Sequence, residues 1–548
     1  MSYHSSSRRH SLIAWCAAAF VGFGPSMGYA AGVPLSAPLL EADATAAVAD
    51  TADSAPRAVG TEGELPALGS AANAVISLQD EYIAGLIFTR EMRQKGEILE
   101  DPEVSAYIQE IGHELASYAQ EGQHQFSYHV IDDPTINSFA IPGGFIFVDS
   151  GLFLATSNES ELAAVLAHET AHVTQRHIAR RILDQEHAGL ISTAAMLAAV
   201  LLGATAGGGS PGAMEGAVVA TQGAAIQHEL NYSRAEEAEA DRIGIYTMAS
   251  AGFDPLAMAS FFQKLELGAG NPAFANAYGF LMDHPVTADR IAEARNRAAQ
   301  IGRIHHVDSI SYGLMRERLR SLVGDPQAAV KYYEDLRRNG GGRDLDDRYG
   351  LAVAYTYAHD AAPAIPILKR LLAENPRITQ LYGALGQAYL GNNQPKRSQA
   401  ILEKAHELFP LNVPVTIRLA QTYMREGLNA RAHHILLQLF NVVEPTPAQT
   451  QLIARAAHAA GDVADSYYYM SEFYIMNGQL ERSSGELRLA LALPNLNPIQ
   501  RARFSARLEE VRSAIDRNKK HEHGHSRSRS GRHSGDGGGG DGDGDGGH

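Results

Sequence analysis

Two histidines and a glutamate lie within five residues of one another in the stretch AAVLAHETAHVTQRH, at positions 163–177. His168 and His172 are four residues apart, so a helix would place both imidazoles on one face, one turn apart. Two imidazoles so placed can bind one zinc ion, and Glu169 would lie beside the open coordination position, where it could take a proton from zinc-bound water. This is the H-E-x-x-H pattern that metalloproteases use. The alternative is a core helix whose two histidines are satisfied by hydrogen bonds.

Three features favour a metal site over that alternative. The flanks of the motif are apolar, so it lies on a core helix, where unpaired polar groups are costly. A predicted strand hairpin precedes it, and an acidic segment, SRAEEAEADRIG, follows at positions 233–244. There Glu237 could supply the third ligand that zinc needs, and Asp241 could hydrogen-bond a ligand imidazole from behind. Glu236 and Glu239 are competing acids on the same segment, and a charged surface helix is the alternative for all four.

The hairpin is predicted from the segment NSFAIPGGFIFVDSGL, in which Pro142-Gly143-Gly144 separates two apolar runs. A polypeptide substrate could add to Phe139–Val148 as a further strand, a binding mode that depends on backbone more than on side chains. The candidate substrate contacts are Phe139, Ala140, Ile141, Gly143, Gly144 and Phe145.

Composition and the N-terminus indicate a secreted protein. The 548-residue chain has a formal net charge of −16, which argues against a nucleic-acid partner. Basic residues, a short apolar run and the sequence GYA predict a cleaved signal peptide over residues 1–30, with a retained membrane anchor as the alternative. The only cysteine lies within that segment. Residues 31–76 have the composition of a disordered lead-in.

Residues 77–302 combine helical patterns with the strands of a small sheet, which predicts a mainly α, zincin-type metalloprotease domain. Within this region, residues 188–225 are rich in alanine and glycine, and their uncharged run is too short to span a bilayer. Two interpretations stay open for this segment. It is either a helix buried against the domain or a segment that touches a membrane surface or covers the active site.

A repeat follows this region. LAVAY, LGQAY and LAQTY begin at Leu351, Leu385 and Leu419, 34 residues apart, which is the period of tetratricopeptide repeats. The pattern predicts an all-α solenoid over residues 303–515, with a concave face that binds proteins. Residues 516–548 are rich in His, Gly and Asp and are predicted to be disordered.

The motifs HETAH, SRAEEAEAD and HPVTADRI, in this order, resemble the zinc metallopeptidase family that includes HtpX and the CAAX prenyl proteases. The resemblance implies one zinc ion per chain, with His168, His172 and Glu237 as ligands. Glu237 is selected because it alone forms the family's E-x-x-x-D spacing with Asp241. The resemblance also raises His284 as a catalytic residue, either stabilising the oxyanion or binding the zinc in a latent enzyme.

The fused repeats and the signal peptide are most similar to the periplasmic branch of this family that enhances β-barrel assembly. This resemblance implies a periplasmic endopeptidase with chaperone-like potential, acting on unfolded or misassembled outer-membrane proteins. The repeats would dock those proteins and the β-barrel assembly machinery. The alternative function is a catalytically latent or non-proteolytic scaffold in which the repeats carry the activity.

Overall fold

The computed structural model describes residues 77–119, 125–181, 232–269 and 279–530. The predictions for residues 1–30, 31–76 and 188–225, and for the end of the tail from 531 onward, lie outside these ranges. Among the helices that are described, none combines the length and the apolar character needed to cross a bilayer.

The first part of the chain is helical around one small sheet. Its helices and strands are α1 (Leu78–Lys95), α2 (Pro102–Tyr118), β1 (Ser127–Ile131), β2 (Ser138–Ile141), β3 (Phe145–Asp149), α3 (Ser150–Ala155), α4 (Glu159–Thr174), α5 (Arg234–Ser250), α6 (Leu256–Ala269), α7 (Phe280–Asp283) and α8 (Ala288–Ile301). Asn158 caps α4 by accepting a hydrogen bond from the Glu161 amide, and Ser233 forms a capping box with Glu236 at the start of α5. Both helices that carry the predicted metal ligands therefore begin at strong sequence signals.

The three strands have the order β1-β3-β2, with β1 parallel and β2 antiparallel to β3. β2 and β3 form the hairpin predicted at Pro142-Gly143-Gly144. Gly143 and Gly144 have φ values of 89° and 93°, and a Cβ on Gly144 would lie 2.3 Å from the Gln125 carbonyl oxygen. Only glycine fits that turn. Strand β2 lies at an edge of the sheet, beside α4.

The second part is an array of helix pairs, as the repeat predicts. Its helices are α9 (Ile310–Leu322), α10 (Pro326–Arg338), α11 (Leu345–Tyr357), α12 (Ala364–Glu374), α13 (Thr379–Gly391), α14 (Pro395–Leu408), α15 (Val413–Arg425), α16 (Asn429–Phe440), α17 (Pro447–Ala459), α18 (Val463–Met476), α19 (Leu480–Leu491) and α20 (Pro498–Ser530). Helices α11, α13, α15 and α17 begin 34 residues apart. The predicted combination of a mainly helical domain, a small sheet and an all-α repeat region is confirmed.

The last helix differs from the sequence prediction for residues 516–548. Helix α20 extends to Ser530, well into the segment for which composition predicts no order. Its earlier turns are held by Phe504, Leu508 and Val511, which pack into an apolar cluster with α19. The helix is thus nucleated by buried contacts before the polar segment begins, and the backbone continues it.

A buried ion cluster joins the two parts across the predicted boundary at residues 302 and 303. Arg318 of α9 is fully buried and donates to both carboxylate oxygens of Asp101, at 2.7 and 2.6 Å. Arg418 of α15 donates to Asp101 at 2.9 Å and to Glu103 at 2.6 Å. Burial raises the pKa of Asp101, but the two guanidiniums outweigh burial and hold it below its ordinary value.

The same ion cluster also includes residues from the first helices of two repeats, α11 and α13. Arg318 also donates to Tyr349 and Tyr357 of α11 and to Gln387 of α13. The N-terminal turn of α2 is therefore bound directly by α9 and α15, while α11 and α13 hold the Arg318 guanidinium in place. Helix α2 thus packs on α9 and α15 of the repeats, and the apolar core runs continuously from α2 and α4 into α13.

Replacing Arg318 with Met should lower the free energy of unfolding by about 3–5 kcal/mol, because removal of one partner leaves buried carboxylates uncompensated. Urea-induced unfolding measures this loss. Arg431→Met is the matched control, since Arg431 pairs with Glu403 at the surface, where an ion pair contributes about 0–1 kcal/mol. A loss in the Arg318 variant no larger than in the control would contradict the buried-cluster interpretation.

Candidate active site

Helix α4 carries the H-E-x-x-H residues into the core. His168, Glu169 and His172 are 1%, 0% and 2% exposed. The Nε2 atoms of the two histidines lie 3.1 Å apart, as expected for residues one turn apart on a helix. Gly244 of α5 lies directly against the backbone of His168, where a Cβ would come within 3.1 Å of the His168 amide nitrogen. This close approach of two helices brings the acidic segment to the histidines.

Helix α5 places two of its four acids at this position. Glu237 has carboxylate oxygens 3.6 Å from His168 Nε2 and 3.5 Å from His172 Nε2. Asp241 Oδ1 lies 3.0 Å from His168 Nδ1, on the opposite side of that ring. Glu236 is used in the helix cap, and Glu239 points away from the cluster toward Arg180. Of these acids only Glu237 reaches the face shared by the two histidines.

His284, which follows α7, is fully buried and completes the cluster. Its Nδ1 lies 2.8 Å from Glu237 Oε1 and 3.3 Å from His168 Nε2. Its Nε2 lies 3.6 Å from Glu169 Oε1 and makes no hydrogen bond with the described residues. His284 therefore stands between the general-base candidate and the shared face of the two α4 histidines.

Arg290 of α8 binds both the acids of α5 and the loop that contains His284. Its guanidinium donates to Asp241 at 2.7 and 2.8 Å and lies 2.7 Å from Glu237 Oε2. It also donates to the Pro285 carbonyl at 2.9 Å, next to His284. These contacts tie α8 both to the acids of α5 and to the loop that carries His284.

The electrostatics of the cluster show a shortage of positive charge. Burial would raise the pKa of Glu237 and of Asp241, but neighbouring imidazoles and Arg290 hold both pKa values below normal. Burial would lower the pKa of His284, but Glu237 and Glu169 outweigh burial and raise it to about 9. Burial and the adjacent imidazoles lower the pKa of His172, which stays neutral and keeps a free lone pair. Without a metal ion, Arg290 and the protonated His284 together offset two of the three carboxylates. A histidine that binds a metal must be neutral, so in the metal-bound site three carboxylates face one guanidinium.

These residues fit a divalent metal ion. Ligand atoms from His168, His172, Glu237 and His284 all lie within 4.8 Å of one another, and all four residues are buried. A tetrahedral zinc ion with bonds of about 2.0–2.1 Å separates its ligand atoms by about 3.4 Å, close to the distances given above. An ion of charge +2 would also balance the two surplus carboxylates. The imidazole and carboxylate donors are a set typical of zinc.

Several contacts at the site were not predicted from the sequence. Ser138 of β2 donates to Glu169 Oε1 at 2.8 Å. The Tyr232 ring packs against His172 in a tilted arrangement with the ring centroids 3.9 Å apart, and burial raises the pKa of the Tyr232 hydroxyl. His177 lies 2.8 Å from His172 through their Nδ1 atoms. The sequence signal was present for His177, five residues after His172, but a continuous helix would have put it on another face.

The predicted substrate-contact residues divide into two groups. Phe139, Ile141 and Phe145 pack into an apolar cluster beneath α1, so their side chains face away from the metal cluster. Ala140 faces the main core with α4, and Gly143 and Gly144 form the turn. The structure thus brings the backbone of β2 to the site, and not the large side chains of the hairpin.

Known proteins support the chemistry of this site. A family model described as "Peptidase family M48" matches residues 102–298. The beta-barrel assembly-enhancing protease of Yersinia pestis is 30% identical over 461 residues, which cover 84% of this chain and 93% of that protein. The protein of the same name from Escherichia coli is 29% identical, with 85% and 95% of the two chains covered. The mitochondrial metalloendopeptidase OMA1 of Schizosaccharomyces pombe is 32% identical over 34% of this chain and 50% of that protein.

The chain therefore belongs to peptidase family M48. It is a metalloendopeptidase, in agreement with the buried H-E-x-x-H cluster and with the enzyme class that the sequence predicted. Residues 102–298 extend from α2 to α8 and contain every residue of the cluster.

Loss of Glu237 should abolish tight metal binding, because Glu237 is the only α5 acid on the face shared by the two histidines. Asp241→Ala should weaken metal affinity by a smaller amount, about 10–100-fold, since Asp241 acts through His168. Zinc titration of both variants against a chelator measures the difference. Undiminished zinc affinity in Glu237→Ala would contradict the assignment, and Glu236→Ala, which disturbs only the helix cap, is the control.

Proposed function

We propose that this protein is a zinc endopeptidase of the periplasm that cleaves unfolded or misassembled outer-membrane proteins. The observation that carries the proposal is the buried cluster of His168, His172, Glu237 and His284, with Glu169 beside it. The proposed ligands of the catalytic ion are His168, His172 and Glu237, one zinc per chain. The names of the Yersinia and Escherichia relatives support a role in β-barrel assembly.

Zinc bound at this cluster would supply a Lewis acid that polarises the scissile carbonyl group. Glu169 is placed to handle the protons of the reaction. Its Oε1 accepts a hydrogen bond from Ser138, whereas its Oε2 is buried and without a hydrogen-bond partner among the described residues. Glu169 can therefore take a proton from the attacking water through Oε2 and deliver it to the leaving amine. Asp241 keeps His168 in the tautomer that leaves its Nε2 lone pair free.

The backbone of β2 is proposed to align the substrate. The Asp149 amide donates to the Asn137 carbonyl, which sets the alternation of the β2–β3 ladder. By that alternation, Ser138 and Ala140 direct their backbone N–H and C=O groups to the free edge of β2. Ser138 also contacts Glu169, so a chain added to this edge would pass the general base. Backbone pairing suits a protease for unfolded clients of varied sequence.

His284 is proposed to keep the enzyme latent. Its Nδ1 lies at the fourth corner of the cluster, and a zinc ion closed by four protein ligands is structural and not catalytic. Arg290 binds the adjacent Pro285 carbonyl and holds His284 in this position. His284 would have to withdraw before a substrate carbonyl could approach.

The repeats are proposed to form a docking domain at residues 303–515, separate in role from the protease domain at residues 77–302. Because α2 already packs on α9 and α15, we assign docking of clients or of the assembly machinery to the rest of the repeat surface. A four-ligand resting site also agrees with the alternative of a latent enzyme whose repeats act as a scaffold.

Glu169→Gln should retain zinc and fold but lose proteolysis of casein, because the substitution removes only the general base. The retained amide oxygen can still accept the hydrogen bond from Ser138, so the packing at β2 is preserved. Cleavage at the wild-type rate by the zinc-loaded variant would exclude this mechanism. If the same inactive variant still suppresses aggregation of an unfolded client protein as well as the wild type does, the scaffold function is favoured.

His284→Ala should raise the rate of cleavage of an unfolded substrate, because it removes the fourth ligand and opens the site. Zinc content should stay near one per chain, since His168, His172 and Glu237 remain. Turnover of casein by enzyme of measured zinc content checks both statements. If the variant loses activity while it retains zinc, His284 is a group that stabilises the transition state and the latency proposal is wrong.

A further inference from the structure

The chain reverses sharply just after the H-E-x-x-H helix. Arg176 has a φ of 51°, a left-handed conformation that is strained for a non-glycine residue. Its side chain is buried and donates to Glu81 Oε1 of α1 through Nε at 3.1 Å and Nη2 at 2.7 Å. This buried ion pair stabilises the turn, which redirects residues 177–181 back toward α4.

The turn brings His177 against one of the proposed metal ligands. His177 is fully buried, and its Nδ1 lies 2.8 Å from Nδ1 of His172. On the other side of the ring, its Nε2 lies 3.1 Å from Glu239 Oε2, and Arg180 donates to the same oxygen at 2.8 Å. A chain of hydrogen bonds therefore runs from His172 through His177 to Glu239.

Only one set of protons satisfies this chain once the metal assignment of the proposed function is accepted. His172 then binds through Nε2, so its proton is on Nδ1 and is donated to Nδ1 of His177. His177 must accept at Nδ1, so its own proton is on Nε2 and is donated to Glu239. Each hydrogen bond therefore has one possible donor and one possible acceptor, and the carboxylate of Glu239 is the final acceptor of the series.

We propose that His177 and Glu239 are positioning residues that fix the ring orientation and the tautomer of His172. Metal-binding histidines usually donate their second nitrogen directly to a carboxylate or a carbonyl. For His168 the corresponding carboxylate is that of Asp241, whose Oδ1 lies 3.0 Å from Nδ1. No acid of α5 reaches Nδ1 of His172, and His177 extends the reach of Glu239 by one imidazole. The strained turn at Arg176 exists to place that imidazole.

The test compares zinc affinity in four proteins, the Glu169→Gln parent and three variants of it; Glu169→Gln prevents self-digestion. His177→Phe removes both hydrogen bonds but keeps a planar ring, whereas His177→Asn keeps an acceptor oxygen near the position of Nδ1. The matched control is His113→Phe, since His113 of α2 contacts the Phe126 carbonyl far from the cluster. Each full-length protein is titrated with Zn²⁺ in competition with a chromogenic chelator, and thermal unfolding without metal is recorded.

We expect His177→Phe to weaken zinc binding by about 10–100-fold, the range found when such supporting partners are lost. His177→Asn should recover most of that affinity, and His113→Phe should bind as the parent does. Unchanged affinity in His177→Phe would overturn the proposal. Equal losses in the Phe and Asn variants would also overturn it, because packing and not hydrogen bonding would then be responsible. Zinc binding by the parent must be lost when His168→Ala is added. If the parent binds no zinc, or if His168→Ala leaves its binding unchanged, the proposed function fails instead.

Discussion

The buried carboxylates of Glu169, Glu237 and Asp241 are the constraint on which the rest of this structure depends. An uncompensated buried charge costs several kcal/mol. Arg290 offsets one of the three carboxylates, and His284 offsets a second only while it is protonated. A cation among these carboxylates and the imidazoles would balance their charge with His284 neutral. The close contact of α5 with α4 at Gly244 brings the acids to the histidines, and the loop after α7 places His284 beside Glu237.

Helix α2 connects the metal-binding helix α4 with the repeats. Helix α2 packs against α4, where Tyr107 donates to Glu159 at 2.9 Å, and its N-terminal turn is held by Arg318 and Arg418 of the repeats. Breaking that ion cluster would leave Asp101 and Glu103 buried without partners. The repeats are therefore part of the fold that supports the metal helix, in addition to any surface that they offer to other proteins.

Features of short range could be predicted from the sequence. The four-residue spacing of His168 and His172 is set by helix geometry, the hairpin follows from its Pro-Gly-Gly turn, and the 34-residue period recurs in the helix starts. Contacts between distant segments could not be predicted. Arg318 and Asp101 are separated by 217 positions, and nothing in either local pattern indicates the pairing.

His177 shows the same limit at the active site itself. A regular helix places a residue five positions after His172 on a different face, so the periodicity argues against contact. The left-handed turn at Arg176, stabilised by Glu81 from a separate helix, reverses that expectation. Likewise, the sequence predicts Phe139 and Phe145 as substrate contacts because they belong to the hairpin that a substrate strand could join, but their side chains pack into the core beneath α1.

The central claim is that a zinc ion lies among these buried residues. Anomalous diffraction from crystals of the zinc-loaded protein, recorded on both sides of the zinc absorption edge, tests that claim most directly. The account predicts one strong peak per chain, within bonding distance of His168 Nε2, His172 Nε2 and a Glu237 oxygen. A zinc-loaded crystal with no peak at this cluster, or with its peak at other residues, would contradict it.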